Sequence, residues 1–354
     1  MTVVDAHLWR FSTPLVKPVV IRPGVSVSER VTLLLALTDT DGRTGWGEAA
    51  PLESFSTESL DEVEAAARSL VRSVRRHHET SSIDDDVPAA LHRLAAGLPS
   101  LEFALDTAVE SLTSVDLDPN ARVYTTGLLQ GERAQVLRQA KSLVDRGFVA
   151  MKLKVGRGSV DDDIRLVTSV RELTGSQVKI RIDANRAWTW SDAVRFASGI
   201  ESADVEFVEE PLADPARSRQ LAKETGLAIA FDETIRDRDA ASVFELPEFI
   251  AALVLKPTIL GRRTRQLVEA GRAAGVKIVM SSCYESGVGT AAVARARPGP
   301  GTLGEAVGIG THAWLTRDSL AAPVDFDRPF LSFGEISGPA IRPSEDLLQP
   351  IEIQ

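Results

Sequence analysis

Met151-Lys152-Leu153-Lys154-Val155, Arg181-Ile182-Asp183-Ala184-Asn185, Phe207-Val208-Glu209-Glu210-Pro211, Phe231-Asp232-Glu233-Thr234 and Val254-Leu255-Lys256-Pro257 are five fragments of one stretch, and their shared form decides the fold. Each is rich in apolar residues and ends on charge. Segments of helical character, such as Ser159 to Thr174 and Pro215 to Thr225, separate them. Strand and helix in strict alternation, with every strand closing on an acid or a base, is the layout of a (β/α) barrel, whose strand ends converge on one mouth where catalysis sits. The stretch therefore delivers Lys152, Lys154, Asp183, Glu209, Asp232 and Lys256 to one place.

Working outward, the flanking sequence completes the barrel. Strand one is expected at Ala121 to Leu128, the charged strands at 149–155, 178–183, 205–209, 227–232 and 251–256, a seventh at Lys277 to Ser282 and a short last one at Ala306 to Ile309. Helices are expected at Asp161 to Leu173, Trp190 to Ile200 and Arg262 to Ala274. Pro323 follows Leu320 too soon for an eighth helix, so the expected α/β fold is a (β/α)7β modified TIM barrel over residues 119–322.

Residues 1–118 read as an α+β domain placed before the barrel. Val31 to Thr38 is an apolar run, and Asp39-Thr40-Asp41-Gly42 is a turn leading into Thr44-Gly45-Trp46-Gly47-Glu48. Pro14 to Ser28 and Ala49 to Ser56 read as loops expected to close over the barrel mouth. Helices follow at Leu60 to Arg75, capped by Ser56 or Thr57, then at Val87 to Ala96 and Pro99 to Leu112. Residues 323–354 read as a tail returning to the first domain through Phe330 to Phe333 and Ala340 to Pro343.

Composition excludes several classes of function. A net charge of -10 without a basic segment argues against nucleic-acid and anionic-membrane partners. The short run Arg72 to His78 reads as a solvated face. Cys283 is the single cysteine, which suits a reducing, cytoplasmic compartment, and no run approaches the ~20 apolar residues of a membrane span.

The acid trio carries the strongest chemical signal. Asp183 to Glu209 and Glu209 to Asp232 each span one β-loop-α-loop unit, so the three occupy equivalent ends of adjacent strands. Three carboxylates so close repel unless a cation sits among them, and hard oxygen donors without His or Cys point to Mg²⁺, with Mn²⁺ as substitute. Lys152 and Lys154, two apart on a strand, share a face. Neighbouring ammonium groups depress each other's pKa, which is a way to make a base. Lys256 enters from the opposite side. Gly299 to Gly304 fits G-x-G-x-x-G but lacks the strand before it that a dinucleotide site needs, and reads as a loop. His312 reads as structural and Cys283 as an ordinary small residue.

Lys-x-Lys, Asp-Ala-Asn, Glu-Glu-Pro, Asp-Glu-Thr and Lys-Pro in this order resemble the muconate-lactonizing subgroup of the enolase superfamily, and Gly45 to Leu52 resembles that family's N-terminal capping domain. The resemblance implies that Asp183, Glu209 and Asp232 bind Mg²⁺, that Lys154 is the acid/base and that Lys256 stabilises an enolate from the other face. Within the subgroup, Ser281-Ser282-Cys283-Tyr284-Glu285-Ser286-Gly287 and Gly308 to Leu315 are most similar to the branch that dehydrates a succinyl-hydroxycyclohexadiene carboxylate to an aromatic acid. This implies a small-molecule carboxylate substrate. Lys152, Asn185, Ser281, Ser282 and Glu285 are then expected to touch it or to support the residues that do, helped by the backbone amides opening the helix at Glu285 to Gly289. Racemisation of N-succinylamino acids and epimerisation of dipeptides are the alternatives in the family. The lack of an acid in Ala306 to Gly310 counts against the dipeptides.

Overall fold

The computed structural model describes residues 2–353 apart from 23, 81–86, 114–117, 238–245 and 297–304. Three strands, β1 (Val3–Arg22), β2 (Val25–Asp39) and β3 (Thr44–Ala49), precede three helices, α1 (Leu60–Thr80), α2 (Val87–Ala95) and α3 (Pro99–Leu112). The sheet is antiparallel. Its Leu33, Leu35 and Leu37 pack with Val63, Leu70, Leu101 and Leu105 of the helices, while Leu34 joins the core around the barrel. Alternation of side chains along a strand produces these two faces. A Cβ on Gly47 would lie 1.8 Å from the carbonyl oxygen of Ala104, so the Gly-Trp-Gly-Glu run lets α3 rest on bare backbone and sends Glu48 toward the barrel.

The expected loop at Pro14 to Ser28 is instead the tip of a long hairpin, because β1 and β2 pair from Val3–Asp39 out to Arg22–Val25. Its ladder shifts register between Pro14 and Val19, and an irregularity of this kind is where a strand tolerates proline. The cap of α1 is Ser59, not Ser56 or Thr57: its hydroxyl accepts from the Glu62 amide, and the Glu62 carboxylate accepts from the Ser59 amide in return.

Expected strand one is two strands. β4 (Arg122–Tyr124) pairs antiparallel with β12 (Phe330–Ser332) of the tail, and only β5 (Gly127–Leu129) joins the barrel. Parallel strands β6 (Ala150–Lys154), β7 (Lys179–Asp183), β8 (Phe207–Glu209), β9 (Ile229–Phe231), β10 (Ile250–Leu255) and β11 (Lys277–Met280) follow in sequence order. The crossings hold α4 (Arg133–Asp145), α5 (Val160–Thr174), α6 (Trp190–Gly199), α7 (Ser218–Thr225), α8 (Glu233–Asp237), α9 (Pro257–Leu260), α10 (Arg263–Ala273) and α11 (Gly287–Arg295). Three aspartates in the first turn of α5 complement the helix dipole. Residues 306–309 close the barrel: the Thr126 amide donates to Val307 on one side and the Ser282 amide to Gly308 on the other. The tail ends in β13 (Gln349–Pro350), which pairs with β1. The Gly299 to Gly304 segment lies outside the described residues.

Candidate active site

Register places the charged residues at one level. Lys154 pairs with Asp183 and Asp183 with Glu209 across β6, β7 and β8, while Asp232 and Lys256 follow directly on β9 and β10. β6 and β10 are the second and sixth strands of an eight-stranded ring, so their lysines face each other across it. A cavity of about 540 Å³ opens at this end, walled by Lys152, Lys154, Asp183, Asn185, Asp232, Glu233, Lys256, Ser281 and Ser282. The hairpin tip contributes Val19, Val20 and Ile21 and the following loop Leu52 and Phe55, so both expected covering segments stand over the mouth. A larger hollow, about 850 Å³, lies beside Trp9 and Trp46 and is lined by none of the predicted site residues.

The Lys152 ammonium lies 2.9 Å from Asp183 Oδ2 and donates to Glu209 Oε1 at 2.8 Å. Lys154 donates to Asn185 Oδ1 at 3.1 Å and lies 3.4 Å from Asp183. Lys256 is paired with Asp232, and its Nζ stands 5.5 Å over the Phe55 ring. Burial works to discharge Lys152, but the carboxylates of Asp183, Glu209 and Asp232 more than reverse it and raise its pKa. The expected depression by a neighbouring lysine is thus overturned at Lys152, because carboxylates are nearer. Lys256 is raised as well, burial being outweighed by Asp232 and Glu233. Asp183 moves down, since the charges of Lys152 and Lys154 outweigh its burial. Glu209 moves well up, from burial first and the charge of Asp183 second. Glu233 is pushed up to about 7 by burial and by Asp232.

Among the described residues, no three His, Cys, Asp or Glu side chains are gathered as a metal cage. Lys152 bridges two of the acids and Lys256 takes the third, so ammonium groups supply the countercharge. The donor chemistry nevertheless fits a hard divalent cation: three buried carboxylates, all oxygen, at adjacent strand ends beside an open cavity.

Other predicted residues fall in different places. The Ser281 and Ser282 hydroxyls both lie 3.3 Å from the Gly308 carbonyl oxygen, and Ser282 also contacts Thr311. Glu285 is fully buried behind the wall and accepts from the Cys283 amide. Three of the helix-opening amides are already taken within the protein: Ser286 and Gly289 donate to Glu48, and Gly287 donates to Asp318. Glu210 faces away from the trio, accepting from the Asp232 and Thr234 amides and from Arg186. It thereby ties β8 to the start of α8. Asn185, Glu210 and Tyr284 hold positive φ of 45°, 43° and 63°, strain of the kind that clusters around functional sites. Of the further cavity residues, Arg157 carried no sequence signal; Tyr284, Thr311 and Trp314 lie in the two stretches that carry the family resemblance, and the hairpin tip lies in a segment expected to cover the mouth.

The Enolase C-terminal domain-like model matches residues 135–347, and the MenC N-terminal domain model matches residues 3–112. The chain belongs to the enolase superfamily. An o-succinylbenzoate synthase of Yersinia enterocolitica is 34% identical over 295 residues, which are 82% of this chain and 85% of that protein. Two solved structures share the fold. The dipeptide epimerase of Enterococcus faecalis, complexed with Mg and L-Leu-L-Tyr, is 21% identical with a TM-score of 0.78, covering 96% of this chain and 99% of its own. The N-succinyl Arg/Lys racemase of Bacillus cereus is 21% identical with a TM-score of 0.74, covering 98% and 97%. The modified barrel carries an N-terminal cap. No described helix is long and apolar enough to cross a membrane.

Proposed function

We propose that the chain is a Mg²⁺-dependent carbon–oxygen lyase, with Mn²⁺ able to substitute. It dehydrates 2-succinyl-6-hydroxy-2,4-cyclohexadiene-1-carboxylate to o-succinylbenzoate, toward menaquinone or phylloquinone, in a reducing cytoplasm. The supporting geometry is Lys154 and Lys256 on opposed strands, over three buried carboxylates, in one cavity. The named relative supplies the substrate class.

Asp183, Glu209 and Asp232 would hold the ion, which when bound supplies Lewis-acid charge against a substrate carboxylate. Lys152 orients two of these acids from beneath. Lys154, steadied by Asn185, takes the proton α to the carboxylate, and its ammonium then protonates the departing hydroxyl on the same face. That hydroxyl leaves as water, and aromatisation of the ring drives the step. Lys256, fixed by Asp232, presents a cation to the enolate from the other face. Ser281 and Ser282 form the wall at the succinyl end, with Glu285 supporting it from behind. Val19 to Ile21, Leu52 and Phe55 keep water out.

The test is turnover: purified protein with Mg²⁺ should convert the cyclohexadiene, read as growth of the aromatic product's absorbance. The absence of turnover would sink the lyase reading. Opposed lysines also suit racemisation of N-succinylamino acids, each exchanging a proton on its own face. A dehydratase should show little α-exchange of such a substrate in D₂O, whereas rapid exchange of both enantiomers without dehydration would move the function to the racemase. The eighth-strand wall, 306–310, has no acid to grip a dipeptide's ammonium.

A further inference from the structure

A carboxylate from the cap sits on a barrel helix 238 residues away in sequence. Glu48 is fully buried at the end of β3. It accepts from the Ser286 amide at 2.9 Å, the Ser286 hydroxyl at 2.7 Å and the Gly289 amide at 2.7 Å. Ser286 occupies the N-cap of α11, yet its own hydroxyl caps nothing, so Glu48 satisfies those donors from outside the helix. Gly289 makes room: a Cβ there would stand 2.9 Å from Glu48 Oε2.

A second tie runs the other way. Arg30, also buried, donates to the carbonyls of Ala50 and Pro51 at 2.9 Å each and to that of Tyr284 at 3.2 Å. Segments 48–51 and 284–289 are therefore joined twice, once by an acid on amides and once by a guanidinium on carbonyls. Each continues directly into the cavity wall, the first into Leu52 and Phe55 and the second back through Cys283, Ser282 and Ser281. Phe55 is the ring over Lys256.

We infer that Glu48 and Arg30 are positioning residues, a clasp that registers the cap loop against the 281–286 turn so that Phe55 and the serine wall meet around the substrate. Neither touches the reacting atoms. The clasp sets substrate binding and the tightness of the wall, while the lysines, held by the barrel strands, keep their own geometry. The substrate in the kinetic arm rests on the dehydratase reading; the clasp itself does not.

Cys283, the single cysteine, is only 3% exposed and borders the clasp, so its labelling by N-ethylmaleimide reports whether the wall opens. In Glu48→Ala the labelling rate should rise about tenfold or more, as expected of a local opening. Its KM should rise about tenfold with kcat changed less than about threefold, the pattern of lost binding rather than lost chemistry. Glu48→Gln keeps one acceptor oxygen and should fall between. Leu35→Ala, in the cap core, is the control for general destabilisation. Arg30→Lys, a milder change, should raise labelling in the same way if Glu48→Ala does not fold. Labelling and KM no different from Leu35→Ala would overturn the clasp. If no dehydration is seen with any variant, the reaction reading fails while the thiol arm still decides the clasp.

Discussion

Two charged clusters lie inside one barrel, a single layer apart, and only the upper one lines the cavity. Asp183 and Arg181 project from the same strand. At the mouth, Lys154 is 28% exposed and meets one amide oxygen and one carboxylate. Below, the Arg181 guanidinium is 2% exposed and donates to Glu206 at 2.7 Å, Glu305 at 3.0 Å, Thr126 at 3.0 Å and the Ala306 carbonyl at 2.7 Å. Glu206 in turn meets Lys277 at 2.8 Å and Lys179 at 3.3 Å. The lower cluster is closed and satisfied; the upper one borders an open cavity. Buried charge by itself marks neither function nor its absence. What distinguishes them is donor capacity left facing a space that a substrate can enter, at the strand ends where barrel enzymes work.

The largest effect expected is from divalent ions. Chelation should abolish turnover at the mouth and Mg²⁺ should restore it, and Asp232→Asn should weaken Mg²⁺ binding in titration calorimetry while leaving the circular dichroism of the fold in place. Full activity after exhaustive chelation would remove the metal role. Next comes Lys154→Ala, for which kcat should fall by about 10²–10⁴, the usual worth of a positioned base, with thermal unfolding little changed. More than a tenth of wild-type kcat would show that Lys154 is not the base.

At the closed cluster the effect should be on stability. Burial pushes the Glu206 carboxyl up, but Arg181 and Lys277 hold it down to about 2. A folded pKa below the unfolded value of about 4.3 contributes stability that is fully present above that value and is lost as pH falls toward about 2. Glu206→Gln should therefore cost on the order of 3 kcal/mol in urea at pH 7, since it leaves buried cations unpaired. It should also flatten the acid limb between pH 4 and 2; an acid limb as steep as that of the wild type would reject Glu206 as its source. The smallest effect belongs to the rim. Lys179, half exposed, should lose no more than about 1 kcal/mol on change to Ala, within reach of a careful urea titration.

Some of this was legible in the chain itself. Strand ends are written locally, as an apolar run stopped by charge, so the lysines, the acid trio and their convergence followed from order alone. Helix α3 was read to the residue because Pro99 opens it and its apolar period is regular. Pro14 and Pro18 hid the hairpin, since proline argues against a strand unless the ladder shifts register, and a register shift is visible only once the partner is in place. Strand one looked continuous because nothing in Ala121 to Leu128 records the change of partner from β12 to β6.

The sequence by itself determined which groups reach the mouth, because a strand's direction and its two-residue period fix where each side chain points. Only the tertiary structure decided what surrounds them. It decided that Lys152 is bound by two acids, that the Ser286, Gly287 and Gly289 amides belong to Glu48 and Asp318, and that the covering wall is a hairpin tip. Those outcomes depend on contacts between segments far apart in the chain, and the strength of a charge or a free amide is set by whichever neighbour arrives first.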